Sequence, residues 1–535
     1  MESEKFSKAI DLSHHLSELS RARRDSPLKS LAKYMGKPGL ISLAGGMPHP
    51  SYFPYAEISA SGLAADNFPL ETTQKDNSVS WLWKIFGVSS SKDKVKTIPI
   101  TVPKYPSSPD DVNLATALQY GTAQGLVELQ KAIKELISKV YQPAYSNWAM
   151  LVDTGNTDGW ARAVQTLCNP GEYFLTEEWT YPSALASSRP FNVKPVAVAM
   201  DGEGMVVGDL KNVLSGWDEK ARGAPRPHVL YTVPVGQNPS GATMGLQRKK
   251  EIYDVCVQYD IIIVEDDPYY FLQEGEYKPK SERSSQIFNY DSDKWADNLV
   301  PSFLKVDTQG RVIRLDTFSK TIAPGSRLGF FTCNPLFAER LERQGETTTQ
   351  APCGFGQALI TQLLKTWGHD GYIRWLHGLN VQYTIRRDFL IDSFFDEFHV
   401  RSSYGTKGLW KGLEVYDVYA KPKSSGSALE KFERGPKMFS FVPPTSGMFI
   451  WMQLNFEEIP SHRSGDEETL EMKLWTNLAE AGVLVAPGWI FAAESERIDQ
   501  GQGHLRISFA NAEYDVIKKA VQVFGKVFRD FFHAN

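Results

Sequence analysis

The sequence predicts an α/β protein with a mainly parallel sheet in a large domain and a second, smaller α+β domain. A chain of 535 residues exceeds what one hydrophobic core usually organises, so two or more domains are expected. Short apolar runs alternate with amphipathic stretches through the middle of the chain, which is typical of parallel strands covered by helices on both faces. The hydrophobic fraction of 42% is sufficient for a core of that size.

Composition disfavours several other classes of protein. A net charge of −5 disfavours nucleic-acid binding as the main role. The four cysteines are widely scattered, without a C-x-x-C pair, and we interpret them as reduced, buried thiols. The amino terminus is polar, and the chain contains neither a secretory signal nor an 18-residue apolar stretch. We therefore expect a cytoplasmic protein that binds neither nucleic acid nor membrane.

The chain divides into four predicted segments. Residues 1–35 have helical spacing interrupted near Pro27 and are interpreted as an amino-terminal arm of two short helices. Residues 36–110 form part of the small domain, with a short strand at 40–43 and a polar surface insertion over 69–110. The large domain spans 111–385, and the carboxy-terminal small domain spans 386–535.

The large domain is predicted from its alternating elements. The expected strands cover 149–152, 171–175, 193–200, 228–233, 261–264, 312–315 and 328–331. The expected helices cover 126–140, 158–167 and 247–259, and a second polar insertion covers 274–300. Ligands bind beyond the carboxyl ends of strands in such sheets, so polar residues that follow those ends should converge.

The carboxy-terminal domain is predicted in the same way. A long helix over 370–394 should join it to the large domain. Its expected strands cover 447–454, 483–485 and 505–509, and its expected helices cover 470–481 and 514–532.

Lys320 is the candidate reactive residue, because it follows the buried strand at 312–315. Desolvation at such a position lowers the pKa of a lysine and makes a nucleophilic amine available for Schiff-base chemistry. Thr317, Ser319 and Arg327 lie close by in sequence, and hydroxyls with a guanidinium suit a phosphate. A lysine beside a phosphate cradle suggests pyridoxal phosphate, although an isolated pair of this kind is more often an ordinary surface loop.

A set of motifs in one order decides between these interpretations. They are Ser42-Leu-Ala-Gly-Gly-Met-Pro48, Leu118-Gln-Tyr-Gly121, Thr154-Gly-Asn-Thr-Asp-Gly159, Tyr181-Pro182, Gly236-Gln-Asn-Pro-Ser-Gly241, Glu265-Asp-Asp-Pro-Tyr-Tyr-Phe271, Phe318-Ser-Lys320 with Arg327, and His504-Leu-Arg-Ile-Ser-Phe509. The chain resembles the fold-type I aminotransferases that depend on pyridoxal phosphate, in the branch of aromatic, kynurenine and 2-aminoadipate aminotransferases, most like the fungal aromatic enzymes. Each motif alone is weak evidence, but together they span about residues 25 to 530.

The resemblance implies an aspartate aminotransferase-like fold and a transaminase. We expect it to move the amino group of an aromatic L-amino acid (tyrosine, phenylalanine, tryptophan or kynurenine) to 2-oxoglutarate through pyridoxal 5'-phosphate. Alternatives are an aminotransferase specific for 2-aminoadipate or kynurenine, and a lyase that uses the same cofactor. A non-enzymatic effector-sensing domain is disfavoured, because no helix-turn-helix pattern precedes the core.

The resemblance also implies catalytic and ring-binding roles. Lys320 would bind the cofactor covalently and then transfer the substrate proton. Asp266 would pair with the pyridine nitrogen, and Asn238 and Tyr269 would hydrogen-bond the phenolic oxygen. Tyr181 would stack on the ring.

The phosphate of the cofactor would be bound by residues of two loops. Asn156 and Thr157 lie in a turn that leads into a predicted helix whose amino terminus favours an anion. Thr317, Ser319 and Arg327 complete the expected cradle.

Tyr120 matches a residue that reaches the phosphate from the other subunit in relatives. The resemblance therefore implies a homodimer with shared active sites.

Arg506 matches the arginine that binds the substrate α-carboxylate. Gly46 and the amino-terminal arm should border the side-chain pocket, and Asn238 is also expected near the substrate. Lys29 stands where relatives that bind a distal carboxylate have an arginine, and it lacks the planar fork of that side chain.

Three histidines, His14, His15 and His49, lack partners at metal-ligand spacing in the sequence. We interpret them as solvated and predict no metal site.

Overall fold

The computed structural model describes residues 6–24, 39, 43, 46–70, 95–283, 291–406, 408–421, 435–459, 467–494 and 503–534. The strands are β1 (Glu57–Leu63), β2 (Thr97–Pro103), β3 (Ala149–Asp153), β4 (Tyr173–Glu177), β5 (Lys194–Val198), β6 (Met200–Asp201), β7 (Gly204–Met205), β8 (Val229–Thr232), β9 (Ile262–Asp266), β10 (Val312–Thr317), β11 (Gly329–Cys333), β12 (His399–Tyr404), β13 (Glu414–Tyr419), β14 (Lys437–Phe441), β15 (Phe449–Leu454), β16 (Ala486–Pro487) and β17 (His504–Ser508). The α-helices are α1 (Glu18–Ala22), α2 (Leu114–Ala117), α3 (Val127–Leu136), α4 (Asn156–Leu167), α5 (Pro182–Ser188), α6 (Val207–Ser215), α7 (Glu219–Arg222), α8 (Leu246–Gln258), α9 (Ser292–Asp297), α10 (Pro335–Glu346), α11 (Gly354–Glu397), α12 (Glu467–Glu480) and α13 (Tyr514–Ala534).

The larger sheet has seven strands in the spatial order β3-β11-β10-β9-β8-β4-β5. The pairs from β10 through β5 are parallel, whereas β11 is antiparallel to both of its neighbours. Both faces are buried, because successive side chains of one strand enter different cores. Ile262 and Val264 pack in one hydrophobic cluster, and Ile261 and Ile263 pack in the other. The mainly parallel sheet predicted from the apolar runs is confirmed.

The smaller sheet is antiparallel and has six strands in the order β12-β13-β14-β15-β17-β16. Aromatic side chains of β14 pack against α13, where Phe439 contacts Phe524 and Phe528 with ring centroids 5.7 and 5.2 Å apart. The strand predicted at 483–485 is wrong, because β16 begins only at Ala486.

The long helix α11 joins the two sheets. The predicted helix began at residue 370, just beyond a kink at Gly368, which has φ +68°. The helix in fact begins at Gly354, so the sequence pattern identified only the segment after the kink.

The segment predicted as a polar insertion contains a strand. Within 69–110, β2 pairs antiparallel with β1 along seven residues. Ile100 and Val102 are buried, whereas their neighbour Thr101 is exposed, which is the alternation of a strand with one buried face. Pro99 and Pro103 obscured that alternation in the sequence.

The prediction that all four thiols are buried is wrong for one of them. Cys168, Cys256 and Cys333 are buried, but Cys353 is exposed. Among the described helices, none has both the length and the apolar character needed to cross a membrane.

Candidate active site

Asp266 ends β9 and is buried at the carboxyl edge of the larger sheet. Its Oδ2 accepts a hydrogen bond from Tyr231 Oη at 2.6 Å, and its Oδ1 accepts one from Asn156 Nδ2 at 2.6 Å. Burial raises the pKa of Asp266, and these two hydrogen bonds oppose the rise because they stabilise the charged carboxylate. Asn156 Nδ2 also donates to the carbonyl oxygen of Leu315 at 3.1 Å, so one amide joins α4 to β9 and β10.

Lys320 lies three residues beyond β10 and is half-buried. Burial lowers the pKa of its ammonium group, and the positive charges of Arg506 and Arg327 lower it further. Both effects increase the fraction of the neutral amine, which is the form that attacks a carbonyl carbon.

The turn between β3 and α4 brings a helix amino terminus to Arg327. Gly155 is the N-cap of α4 and has φ +107°. A Cβ atom at Gly155 would lie 2.8 Å from Arg327 Nη2, so only glycine allows the guanidinium this close. A helix amino terminus beside a guanidinium is an anion-binding arrangement.

Two hydroxyls lie on the turn that leads from β10 to Lys320. Thr317 Oγ1 donates to Ser319 Oγ at 2.9 Å, and Ser319 N donates to Thr317 Oγ1 at 3.1 Å. Thr157, in the first turn of α4, is exposed.

Arg506 of β17 is held between two aromatic rings. Its guanidinium carbon lies 4.0 Å from the ring centroid of Phe449 and 4.8 Å from that of Phe491. Its Nη1 donates to Asn238 Oδ1 at 2.6 Å, whereas its buried Nε has no hydrogen-bond partner within the described part of the chain. Burial lowers the pKa of Arg506, so the side chain suits an anionic partner.

Tyr269 and Tyr181 lie beside this arginine. Tyr269 is buried and packs edge-on against Phe449 with ring centroids 5.7 Å apart. Both phenol groups lie close enough to Arg506 to interact with it electrostatically, and Tyr181 stands at the N-cap of α5. Lys320 interacts electrostatically with Arg506 and Arg327. Tyr269 interacts with Arg506 and Asp266, so these groups form one constellation near the carboxyl end of β9.

Comparison with known proteins identifies the family. The model of the aminotransferase class I and II family matches residues 109–414 and 427–524. The chain belongs to this aminotransferase family. An aromatic amino acid aminotransferase of Schizosaccharomyces pombe is 36% identical over 525 residues, which are 98% of each chain. An L-tyrosine:2-oxoglutarate aminotransferase of Tapinella panuoides is 31% identical and covers 98% of this chain and 97% of its own. The crystal structure of aminotransferase Aro8 from Candida albicans has a TM-score of 0.80 and 34% identity, and covers 98% of this chain and all of its own.

These relatives confirm the predicted family, the aspartate aminotransferase-like fold and the transaminase class. Class I and II aminotransferases use pyridoxal phosphate, and two polar atoms show that the site fits it. Asn156 Oδ1 and Arg506 Nε are buried without partners among the described residues. Asn156 contacts Asp266, and Arg506 acts on Lys320. The set of donors there, a helix amino terminus and two arginines, suits the phosphate of the cofactor and the carboxylate of a substrate.

Two predicted residues, Tyr120 and Gly46, lie at exposed positions. Tyr120 is 65% exposed and lines a groove of about 1190 Å³ together with Gln350 and the exposed Cys353. Gly46 is exposed, and a Cβ added there would have no neighbour within 4 Å. Lys29 lies outside the described residues.

The sequence analysis missed several residues of the site. Tyr231 lies in an apolar strand and gave no polar signal, although its partner in the β8–β9 pairing, Val264, is on the same face as Asp266. Phe449 was predicted only as part of a strand, and Phe491 was not singled out, because only the fold brings both rings against Arg506.

Proposed function

We propose that this aminotransferase moves the amino group of an aromatic L-amino acid to 2-oxoglutarate, with pyridoxal 5'-phosphate as its cofactor. The observation that supports the proposal most directly is the position of Arg506, a carboxylate-binding group enclosed by Phe449 and Phe491 and close enough to Lys320 to lower its pKa. Aromatic walls beside a carboxylate-binding arginine suit an α-amino acid with an aromatic side chain. The names of the relatives from Schizosaccharomyces pombe and Tapinella panuoides agree with this substrate class.

The cofactor, when bound, supplies a ring that accepts the electron pair left on the substrate α-carbon after proton removal. The carboxylate of Asp266 would keep the ring nitrogen protonated, because Tyr231 and Asn156 donate hydrogen bonds that favour its charged form. Asn238 and Tyr269 would hydrogen-bond the phenolic oxygen, and Tyr181 would help to hold the ring.

Lys320 has two roles in this proposal. Its neutral amine would hold the cofactor covalently. Once the substrate has displaced it, its Nζ would take the proton from the substrate α-carbon and later give a proton back. Arg506 orients the substrate by binding the α-carboxylate, and the Asn238 side chain fixes the guanidinium at 2.6 Å.

Phosphate binding is assigned to residues around the amino terminus of α4. Arg327, the backbone of Asn156 and Thr157, and the hydroxyls of Thr317 and Ser319 supply donors for the phosphate oxygens. Tyr120 is assigned to the phosphate of a partner subunit, which its exposure allows and which requires a homodimer. Lys29 and Gly46 are assigned to the border of the side-chain pocket.

A substrate panel tests the proposal. Protein reconstituted with pyridoxal phosphate is incubated with 2-oxoglutarate and one donor at a time: tyrosine, phenylalanine, tryptophan, kynurenine or 2-aminoadipate. We expect the aromatic donors to give glutamate and their 2-oxo acids in equal amounts, measured by chromatography. Lys320→Ala should reduce turnover by at least about 10²-fold. Lys305→Ala, which changes an exposed lysine that contacts Gln142, serves as the matched control.

The same assay separates the alternatives. Turnover of 2-aminoadipate, without turnover of any aromatic donor, would replace the aromatic assignment with a 2-aminoadipate aminotransferase. Ammonia without glutamate would indicate a lyase, and unchanged turnover in Lys320→Ala would refute the assigned role of that lysine.

A further inference from the structure

Two consecutive histidines at the amino-terminal end of the described chain converge on one carboxylate. His14 Nε2 lies 2.7 Å from Asp260 Oδ2, and His15 Nε2 lies 3.1 Å from Asp260 Oδ1. His15 is only 3% exposed, so its interpretation as a solvated histidine is wrong. The sequence concealed this contact, because 245 positions separate His15 from Asp260.

The contact continues inward through a third imidazole. His15 Nδ1 lies 3.0 Å from His228 Nδ1, and His228 Nε2 lies 3.4 Å from Glu172 Oε2. The five side chains thus form a row with Glu172 at one end and His14 at the other. Arg311 Nη1 donates to Asp260 Oδ1 at 2.7 Å beside the row.

When all three imidazoles are neutral, the row has fewer N–H groups than it has contacts between side chains. Four contacts join the five side chains, and each contact between two lone pairs needs one hydrogen between them. Three neutral imidazoles carry one N–H each. One contact in the row therefore lacks a hydrogen, unless an additional cation lies within it.

We propose that His14 Nε2, His15 Nε2 and Asp260 Oδ2 bind a divalent transition-metal ion, with Zn²⁺ as the best-suited ion. A metal replaces the hydrogens in the two contacts to Asp260. The remaining N–H groups then suffice, because His15 Nδ1–H donates to His228 and His228 Nε2–H donates to Glu172. A ligating histidine whose other nitrogen donates along a path to a carboxylate is a common feature of zinc sites.

The geometry and the ligand types agree with such an ion. The ligand atoms of the three residues lie within 4.8 Å of one another, so small side-chain rotations bring them to bonding distance. Imidazole nitrogen with one carboxylate favours zinc and its neighbours over magnesium or calcium. The His14 side chain is 58% exposed, which leaves a path for the ion and for a water molecule as fourth ligand. Arg311 can remain on Oδ1 while the metal takes Oδ2.

The metal site is separate from the candidate active site. Asp260 precedes β9 at the amino end of that strand, whereas Asp266 ends it, a separation of about 20 Å along the chain. A metal here would attach the amino-terminal segment to the large domain, where Ile10 N already donates to the carbonyl oxygen of Gln309 at 2.9 Å. The expected role is structural, with no effect on turnover.

Metal binding to the untagged holoenzyme tests the proposal. Equilibrium dialysis against Zn²⁺, followed by elemental analysis, is carried out on the wild type and on His14→Gln, His15→Gln and Asp260→Asn. Mg²⁺ serves as the probe that should not bind. His49→Gln is the matched control, because the His49 ring contacts Ser51 and, among the described residues, no carboxylate. All variants keep the same cofactor, so zinc bound to the cofactor itself is common to every sample.

We expect one additional Zn²⁺ per chain in the wild type and in His49→Gln, with affinity reduced about 10-fold or more in the three ligand variants. Zinc should also raise the thermal midpoint of the wild type and leave that of His14→Gln unchanged. His14 is exposed, so that variant remains informative if His15→Gln fails to fold. Equal zinc binding by all variants, or no additional zinc in the wild type, would overturn the proposal.

Discussion

Tyr231 is the residue that most directly controls the charge of Asp266. Its hydroxyl donates to the carboxylate at 2.6 Å, and both groups are buried. Hydrogen bonds to a charged, buried acceptor stabilise it more than hydrogen bonds between neutral groups do. The acidity of Asp266 therefore depends on a side chain that makes no assigned contact with substrate.

Tyr231→Phe should reduce kcat/KM about tenfold, which corresponds to the loss of one hydrogen bond to a charged group. The pKa of Asp266 is already raised by burial, and loss of the Tyr231 hydrogen bond raises it further. The acid limb of the pH–rate profile should therefore move to higher pH, because the carboxylate is protonated sooner as the pH falls.

The control removes a similar hydroxyl elsewhere. Tyr253 Oη donates to Asp307 Oδ1 at 2.9 Å. Asp307 also accepts a hydrogen bond from Val312 N at the amino end of β10, which is the end of the sheet opposite to Asp266. Tyr253→Phe should lower the thermal midpoint without moving the acid limb. An unchanged acid limb in Tyr231→Phe would show that the hydroxyl does not tune Asp266.

At the scale of secondary-structure elements, a buried charge cluster joins β9 to β10 on the face opposite Asp266. Arg314 is fully buried and contacts Glu265 at 3.2 Å, Asp267 at 3.0 Å and Asp316 at 2.9 Å. Its guanidinium also lies 4.0 Å from the ring centroid of Tyr141. Three acids around one arginine make its removal costly, since their charges would then be uncompensated.

Arg314→Leu should reduce the free energy of unfolding by about 3–5 kcal/mol, measured by denaturant titration. Burial raises the pKa of Asp267 and of Asp316, and Arg314 opposes both shifts. Without Arg314 these carboxyls bind protons more readily in the folded than in the unfolded chain, so acidification favours the folded state. The difference in unfolding free energy between the wild type and the variant should therefore be largest above neutral pH and should become smaller towards about pH 5.

The control for this cluster is Arg248→Leu. The Arg248 side chain is 13% exposed and pairs with Asp201 and Glu203, which are 31% and 58% exposed. Its loss should therefore cost less than the loss of the fully buried Arg314. Equal losses of unfolding free energy in Arg314→Leu and Arg248→Leu would show that burial does not determine the cost.

The turn before α4 allows a second test at this scale. Gly155 has φ +107° and ψ +162°, a region that costs residues with a side chain about 1–3 kcal/mol. Gly155→Ala should also displace Arg327, so its affinity for pyridoxal phosphate should fall about tenfold when the apo-protein is titrated. Gly223→Ala shares the positive φ of +64° but has no neighbour within 4 Å of the added Cβ. Gly223→Ala should lower stability without weakening cofactor binding. Weaker cofactor binding in this variant as well would indicate a general effect of strain.

The difference between what the sequence predicted and what it missed follows from the range of each interaction. The strands of the larger sheet were predicted because both faces are buried, which produces continuous apolar runs such as Ile261 to Val264. Asp266, Lys320 and Arg506 were predicted as site residues from motifs whose residues are close together in sequence. Tyr231 and the pairing of His15 with Asp260 were missed, because each depends on contacts between residues far apart in sequence. The resemblance to a family supplied the roles that no local pattern could provide.

At the scale of the whole molecule, one chain holds most of the candidate site but exposes Tyr120. The groove around Tyr120 is lined by Thr348, Gln350 and Cys353, and Lys320 is not among its lining residues. Lys320 and Arg506 of the same chain are close enough for the arginine to lower the pKa of the lysine. In a homodimer with shared sites, each site would therefore combine Lys320 and Arg506 of one chain with Tyr120 of the other.

Mixing inactive variants tests this arrangement. Lys320→Ala and Tyr120→Ala homodimers should each have low activity, because every site in them lacks one group. After subunit exchange at equal concentrations, half of the dimers are mixed, and each contains one site with both groups intact. Activity should recover to about a quarter of the wild-type value. A mixture of Lys320→Ala with Arg506→Ala should recover none, because both changes affect residues supplied by the same chain. Recovery in neither mixture, with exchange verified by mass-labelled subunits, would assign Tyr120 to the site of its own chain. Full activity of the Tyr120→Ala homodimer would assign it to no site.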